Sequence, residues 1–306
     1  MGVISVKVPG KVMISGEYAV LYGGTAILLP VPKYMIVSEN YEPSDTDYSP
    51  VVKSALSYLI PELEEYESKY PLSGVLLDNS EFFHTDSDGK TVKLGLGSSA
   101  AEAVGVIALR YERAGKSWDD HYECIAKTAI EVHHKAQGGK GSGADVAACA
   151  YRRPIKFRKT ANGFEVETLN LKKSKLEGKI SLAWTGKPAN TRVMVTKFEK
   201  WFAKAPIEDK FLFADLMQKS HTIADGFSKT SLKSLIKNLE DYIVVLHQIA
   251  EKAGFEYMLP IHIEVFDWAN SKGGFAKPTG AGGGDMILLL GDLPSDSFDY
   301  TLKCEL

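Results

Sequence analysis

Cysteine is scarce and dispersed: Cys124, Cys149 and Cys304 stand far apart with no CxxC pair. That spacing excludes a disulfide framework and a zinc cluster, and it suits a reducing compartment. Long hydrophobic runs are also missing. Stretches such as "MILLL" are far too short to span a bilayer, and the start "MGVISVKVPGK" lacks the charged-then-apolar pattern of a signal peptide. Val6 stands where a myristoylation motif wants Ser or Thr. The chain has no large excess of either charge. A net charge of -3 and a pI near 6.2 argue against nucleic acid as a partner and favour small molecules. The expectation is a cytoplasmic protein without membrane or nucleic-acid partners, a monomer or a homodimer. Repeats of fixed period and low-complexity tracts are absent too.

What is present is a chain of 306 residues, 44% hydrophobic and 25% charged, long enough for a sizeable core divided into two lobes. Alternating or β-rich stretches, "VISVKV", "KYMIVSENY", "SGVLLD", "PIKFRK", "KISLAW" and "DMILLLG", predict strands. Apolar residues at helical spacing predict helices over 51–59, 98–114, 118–135, 192–203, 209–226, 232–252 and 261–272. Helices and strands are interspersed without a strict βαβ rhythm, which favours an α+β architecture over a doubly wound sheet. The polar segment 170–179 marks a lobe boundary, giving lobes 1–175 and 176–306. The polar run around 41–50 reads as a surface loop.

Three glycine-rich segments carry the chemistry. In the first, Gly95, Leu96, Gly97, Ser98, Ser99, Ala100 and Ala101 open into a helical pattern. Glycines admit close backbone approach, and a helix start offers N–H groups and the positive end of its dipole, so the joint is built to hold an anion. Ser98 and Ser99 add hydroxyls for phosphate or Mg²⁺. A glycine loop followed by a helix-capping serine is the plainer reading. The loose dinucleotide fingerprint Gly95-x-Gly97-x-x-Ala100 lies in the wrong context, about ninety residues into the chain and followed by helix after helix, and GxxxxGK[ST] is absent.

The second segment, "GGKGSGADVAACAY", places Asp145 in a glycine-rich turn, where its carboxylate serves either as general base or as a helix cap. His133 and His134 are adjacent on a helix, face different directions and so cannot share one metal; they read as ordinary helix residues. The third segment, "AKPTGAGGGDMILLL", feeds Gly280, Ala281, Gly282, Gly283 and Gly284 straight into an apolar strand. Near the N-terminus Lys11 follows a Pro-Gly turn, with Glu17 six residues on. Lysine, acid and three glycine loops together suggest phosphoryl transfer.

At this point the sequence resembles the GHMP kinases. "VPGKVMISGEYAVLYGG" is similar to the first family motif, "LGLGSSAA" to the second and "TGAGGGD" to the third, in the family's order. The resemblance implies a two-lobed α+β fold, with an N-terminal lobe like ribosomal protein S5 domain 2 and a ferredoxin-like C-terminal lobe, and it implies ATP and Mg²⁺. "GSGADVAACAY" and "AWTGKPANTRVMV" resemble segments of the phosphomevalonate kinase branch, and "GEYAV" agrees. "LYGGTAI" is more like the mevalonate kinase branch. Arg152 and Arg153 depart from the family, which has glycines there.

By that resemblance Gly95 to Ala101 cradle the ATP phosphates, with Ser98 or Ser99 near Mg²⁺. Asp145 accepts or orients the acceptor hydroxyl and Lys11 stabilises charge. In mevalonate kinases a glutamate on the helix before the Asp turn helps hold the metal. Counting back from Asp145 lands on His134, and Glu131, one turn earlier, is the substitute. Glu17, Tyr18, Lys140, Gly141, Ser142, Thr185, Lys187, Asn190, Arg192, Gly280, Ala281, Gly282 and Gly283 are the acceptor-binding candidates. The acceptor implied is phosphomevalonate; the alternatives are mevalonate or another alcohol or sugar, and a non-catalytic metabolite sensor is the reading from outside enzymology.

Overall fold

The computed structural model describes residues 3–41, 47–85, 89–172, 174–294, 298 and 300–304. Residues 42–46 of the expected surface loop and residue 173 of the expected boundary segment lie outside that set. The strands are β1 (Ser5–Ser15), β2 (Thr25–Glu39), β3 (Val75–Asp78), β4 (Phe83–Thr85), β5 (Thr91–Lys93), β6 (Ile155–Thr160), β7 (Gly163–Thr168), β8 (Ile180–Trp184), β9 (Phe275–Pro278), β10 (Met286–Leu290) and β11 (Thr301–Lys303). The helices are α1 (Pro50–Ser57), α2 (Glu64–Lys69), α3 (Ser98–Arg113), α4 (Trp118–Ala136), α5 (Ala144–Tyr151), α6 (Thr191–Phe202), α7 (Ile207–Gly226), α8 (Leu232–Ala253) and α9 (Pro260–Ser271).

The chain packs into two compact units, one of residues 1–11, 33–83 and 96–152, the other of 12–32, 84–95 and 153–306. These units do not coincide with the expected lobes 1–175 and 176–306. The long strands β1 and β2 run from one unit into the other, so a linear cut cannot separate them. Every strand pair with a defined register is antiparallel, as an α+β fold requires.

In the first unit α3 is buried nearly all round, because its small residues let it lie close on the strands. A Cβ at Gly105 would stand 2.4 Å from Val37 Cγ2 and 3.2 Å from Val8 Cγ2. The charged end of this helix is accommodated by pairing. Arg110, 5% exposed, forks onto both carboxylate oxygens of Glu67 and donates to the Ala55 carbonyl, so each of its three nitrogens is hydrogen-bonded and its buried charge is paired.

In the second unit four strands in the order β11-β8-β10-β9 form a sheet. All five residues of β10 are buried, which explains why "MILLL" is uninterrupted rather than alternating. Ala183, Ala276, Ile287 and Leu289 of the sheet pack with Val265 and Ala269 of α9. A separate aromatic cluster joins Tyr22, Phe198, Phe202 and Phe213, with ring centroids 4.6 to 6.0 Å apart. Pro9 and Gly10 do not form the expected turn. They lie inside β1, which continues through Lys11.

Candidate active site

The first group of candidate residues stands on β1, α3 and α5 of the first unit. The backbone N–H of Lys11 donates to the Leu96 carbonyl at 2.9 Å, which draws β1 alongside the first glycine segment. Gly97 follows with φ 84°, a left-handed conformation that favours glycine. A Cβ at Gly97 would stand 2.6 Å from Lys11 Cε, so the lysine stem occupies the space a side chain would need. Gly97 is the N-cap of α3 and supplies no side-chain cap, and the next residues, Ser98 to Ala100, make up the helix's first turn. The first N–H groups of a helix have no intrahelical partner and carry its positive dipole end. Beside the Lys11 ammonium this arrangement fits a polyphosphate anion.

Asp145 lies in the first turn of α5, and the cap of that helix is Gly143, not Asp145. A Cβ at Gly143 would stand 2.9 Å from Ile130 Cγ2, so α5 starts tight against α4. The Asp145 carboxylate is consequently free of capping duty, and its Oδ2 lies 3.1 Å from Lys11 Nζ. Ser142 sits just ahead, its Oγ accepting from the Ala144 N–H, while Gly141 and Lys140 are exposed.

His133, which reads in the sequence as an ordinary helix residue, belongs to this group. Its Nε2 lies 3.2 Å from Ser99 Oγ and 3.0 Å from Gln137 Nε2. Burial holds the imidazole below its ordinary pKa, with His134 adding to the effect and Asp145 opposing it. In the neutral ring with the proton on Nδ1, the single Nε2 lone pair is shared between the serine hydroxyl and the Gln137 amide. His134 instead donates to the Gly141 carbonyl. Glu131 is exposed and accepts from the Tyr58 hydroxyl, so the expected metal carboxylate is not with the serines: His133 faces Ser99 in its stead. The signal in the sequence is the helical period, since positions 131 and 133 face different sides.

Among the described residues no group of three or more His, Cys, Asp or Glu could hold a metal ion. The donors present, the hydroxyls of Ser98 and Ser99, fit a magnesium ion carried by nucleotide phosphates rather than one held in a protein cage.

The second group belongs to the other unit. Glu17 is 2% exposed, and its Oε1 lies 2.6 Å from Lys277 Nζ, itself fully buried. Tyr242 donates to Glu17 Oε2 at 3.0 Å. Burial pushes the Glu17 carboxyl above the usual range, while the Lys277 charge and these hydrogen bonds pull it down. A carboxylate so enclosed is not an acceptor contact, which corrects the expectation for Glu17. Tyr18 is buried as well, its hydroxyl donating to the Ala281 carbonyl at 2.7 Å.

Asp285, at the end of the third glycine segment, organises the turn before α6. It has φ 57°, its Oδ1 accepts from the Ala189 N–H, and its own N–H donates to the Lys187 carbonyl. Thr185 Oγ1 donates to the same carbonyl and Asn190 caps α6 through Val193, so both hold the turn rather than present free groups. Lys187 and Arg192 are exposed. Gly95 has φ 74°, and a Cβ there would stand 2.3 Å from the Asp285 carboxyl carbon. Gly282 and Gly283 are equally constrained, with hypothetical Cβ atoms 2.4 Å from Tyr257 Cδ2 and 1.8 Å from Met194 Cε, whereas Gly280 has open space.

The expected departure at Arg152 has a local explanation. It ends α5 in the left-handed conformation, φ 54°, where a glycine is the ordinary choice. Its guanidinium lies 4.2 Å over the Trp118 ring and pairs with Asp119.

Residues 55–153 match the family model for the GHMP kinases N terminal domain. The chain is 29% identical over 309 residues to a phosphomevalonate kinase of Saccharolobus solfataricus, covering 94% of this chain and 90% of that protein. It is 25% identical over 347 residues to a phosphomevalonate kinase of a Streptomyces species, covering 93% and 88%. Its fold is that of a Streptococcus pneumoniae phosphomevalonate kinase solved with phosphomevalonate and AMPPNP, at TM-score 0.77 and 18% identity over 98% of this chain and 99% of that one. No helix among the described residues is long and apolar enough to cross a membrane. Residues 55–153 are thus similar to the GHMP kinases N terminal domain, and the relatives that align along nearly the whole chain are phosphomevalonate kinases.

Proposed function

We propose that the chain transfers the γ-phosphoryl group of ATP to phosphomevalonate, giving diphosphomevalonate. The observation that carries the kinase chemistry is the Lys11–Asp145 pair at 3.1 Å, beside a helix start whose cap leaves its N–H groups to a ligand. The phosphomevalonate reading rests on the relatives of that name, which align along nearly the whole chain.

Phosphoryl transfer asks a protein chiefly to position reactants and to offset negative charge. The backbone of residues 95–101 binds the nucleotide phosphates, and Lys11 offsets the charge that accumulates during transfer. Asp145, paired with the Lys11 ammonium, accepts or orients the acceptor's hydroxyl proton. The hydroxyls of Ser98 and Ser99 would hold a Mg²⁺ ion carried by the nucleotide, which would supply charge neutralisation of the phosphates. Ser99 is oriented by His133. Lys140, Gly141, Ser142, Lys187, Arg192, Gly280, Ala281, Gly282 and Gly283 keep their assignment to the acceptor; Lys140, Lys187 and Arg192 are the cations suited to its existing phosphate.

An ADP-release assay with phosphomevalonate, mevalonate, homoserine and common sugars tests this reading. The expected outcome is the highest kcat/KM with phosphomevalonate. A higher value for mevalonate or a sugar would move the enzyme to another branch of the family.

A further inference from the structure

Glu17 is flanked by two residues of left-handed backbone, Gly16 at φ 102° and Tyr18 at φ 58°. Glycine is required at the first, where a Cβ would stand 2.4 Å from Ala26 Cα. At the second a bulky side chain adopts a conformation it disfavours. Such strain persists only where surrounding contacts over-determine it, and it concentrates at working sites.

The over-determining contacts are all present. Lys277 Nζ has one acceptor for each of its three protons: the Ile14 carbonyl at 3.1 Å, Glu17 Oε1 at 2.6 Å and the Pro278 carbonyl at 2.7 Å. Glu17 Oε2 accepts from Tyr242 Oη, and that oxygen accepts from the Gly16 N–H at 3.0 Å. The Tyr18 ring packs on Phe198 and Phe255, with centroids 4.8 and 5.4 Å away, and its hydroxyl reaches Ala281.

A buried ion pair is a poor device for stability alone, because apolar residues of similar volume stabilise as well or better. What this one supplies is geometry. Lys277 stands at the base of the third glycine loop, residues 279–285, and Tyr18 grips that loop at Ala281. Four glycines in one short loop give it wide conformational freedom, and ordering it only on binding would oppose binding and transfer alike.

We propose that Glu17, Lys277 and Tyr18 form a clamp that holds the third glycine loop in one conformation before substrates arrive, with Lys277 and Glu17 acting as positioning residues for transfer. The clamp serves the reaction proposed above and rests on that reading for its purpose.

Four variants test it: Glu17→Gln, Lys277→Met, their double variant and Tyr18→Phe. Each charge-removing single variant leaves a buried partner without its counter-charge and should lower Tm sharply; the double variant should recover much of that loss. In the double variant and in Tyr18→Phe, amide exchange of 279–285 should be about tenfold faster or more, with α9 unchanged. Their kcat should fall about tenfold or more while the KM for ATP stays within about twofold. A folded double variant with parental exchange at 279–285 and parental kcat would overturn the clamp. If the double variant does not fold, the same two readings on Tyr18→Phe decide. Loop exchange needs no acceptor, so a parent that fails to turn over phosphomevalonate refutes the substrate reading while the exchange still decides the clamp.

Discussion

Lys11 and Asp145 form an ion pair of unequal exposure: the lysine side chain is 11% exposed, the aspartate 43%. The cation is fixed within the unit by the backbone bond to Leu96, and the carboxylate remains reachable from solvent. That asymmetry suits a charge-offsetting lysine behind a carboxylate that meets an incoming hydroxyl. Asp145→Asn should leave the fold and nucleotide binding intact while kcat falls by about 10²–10⁴, on the order of 3–5 kcal/mol of barrier. Lys11→Met should resemble it, and the double variant should lose much less than the sum. Since Gly143 caps α5, no capping loss is expected from Asp145→Asn. Measuring kcat and Tm on the same samples checks both points.

Gly97 should tolerate no side chain. Its φ of 84° and the 2.6 Å approach of a Cβ to Lys11 Cε mean that Gly97→Val strains the backbone and displaces the lysine together. Calorimetric titration with AMPPNP should show affinity reduced by about tenfold or more, roughly 1.4 kcal/mol, in a protein that still unfolds cooperatively. Unchanged affinity would remove this loop from phosphate binding.

Acid should weaken the second unit through His262. Its Nδ1 accepts from the Leu259 N–H at 2.8 Å. Burial, with a smaller effect from Lys277, lowers its pKa from 6.5 to about 4 against the opposing Gly284 carbonyl. The unfolded chain therefore binds the proton more readily. The neutral ring's contribution is fully present above pH 6.5 and is lost as pH falls from there through 4, by up to about 3 kcal/mol. Urea unfolding from pH 4 to 8 should show this slope in the parent, and His262→Gln should flatten it.

Arg152 separates two effects of opposite sign. Arg152→Ala keeps the left-handed backbone but loses the Trp118 contact and should destabilise by about 1 kcal/mol. Arg152→Gly loses the same contact and relieves the backbone, so it should lie closer to the parent. Urea midpoints of the two variants rank them.

Helix positions are legible in the sequence because burial on one face writes a period of about 3.6 into the chain. The pattern expected at 98–114 is α3, Ser98–Arg113, and that at 232–252 is α8, Leu232–Ala253. Short or edge strands carry too few residues for a pattern, so β4, β5, β9 and β11 leave no signal. Pro9-Gly10 has the composition of a turn yet lies in a strand, because local propensity yields to strand pairing when a long strand is packed.

For the site, the residue types and their order are written in the chain. A left-handed turn at a phosphate loop demands glycine, and phosphoryl transfer demands a cation and a carboxylate, so the glycine segments, Lys11 and Asp145 stand out in the amino-acid sequence alone. Which side chains meet was decided only by tertiary packing. The sequence does not say that His133 rather than Glu131 faces Ser99, or that Glu17 turns inward to Lys277, 260 residues away. Such pairings join segments with no local signal for one another. They exist because a buried charge or hydroxyl must find its partner wherever the fold brings one within hydrogen-bond reach.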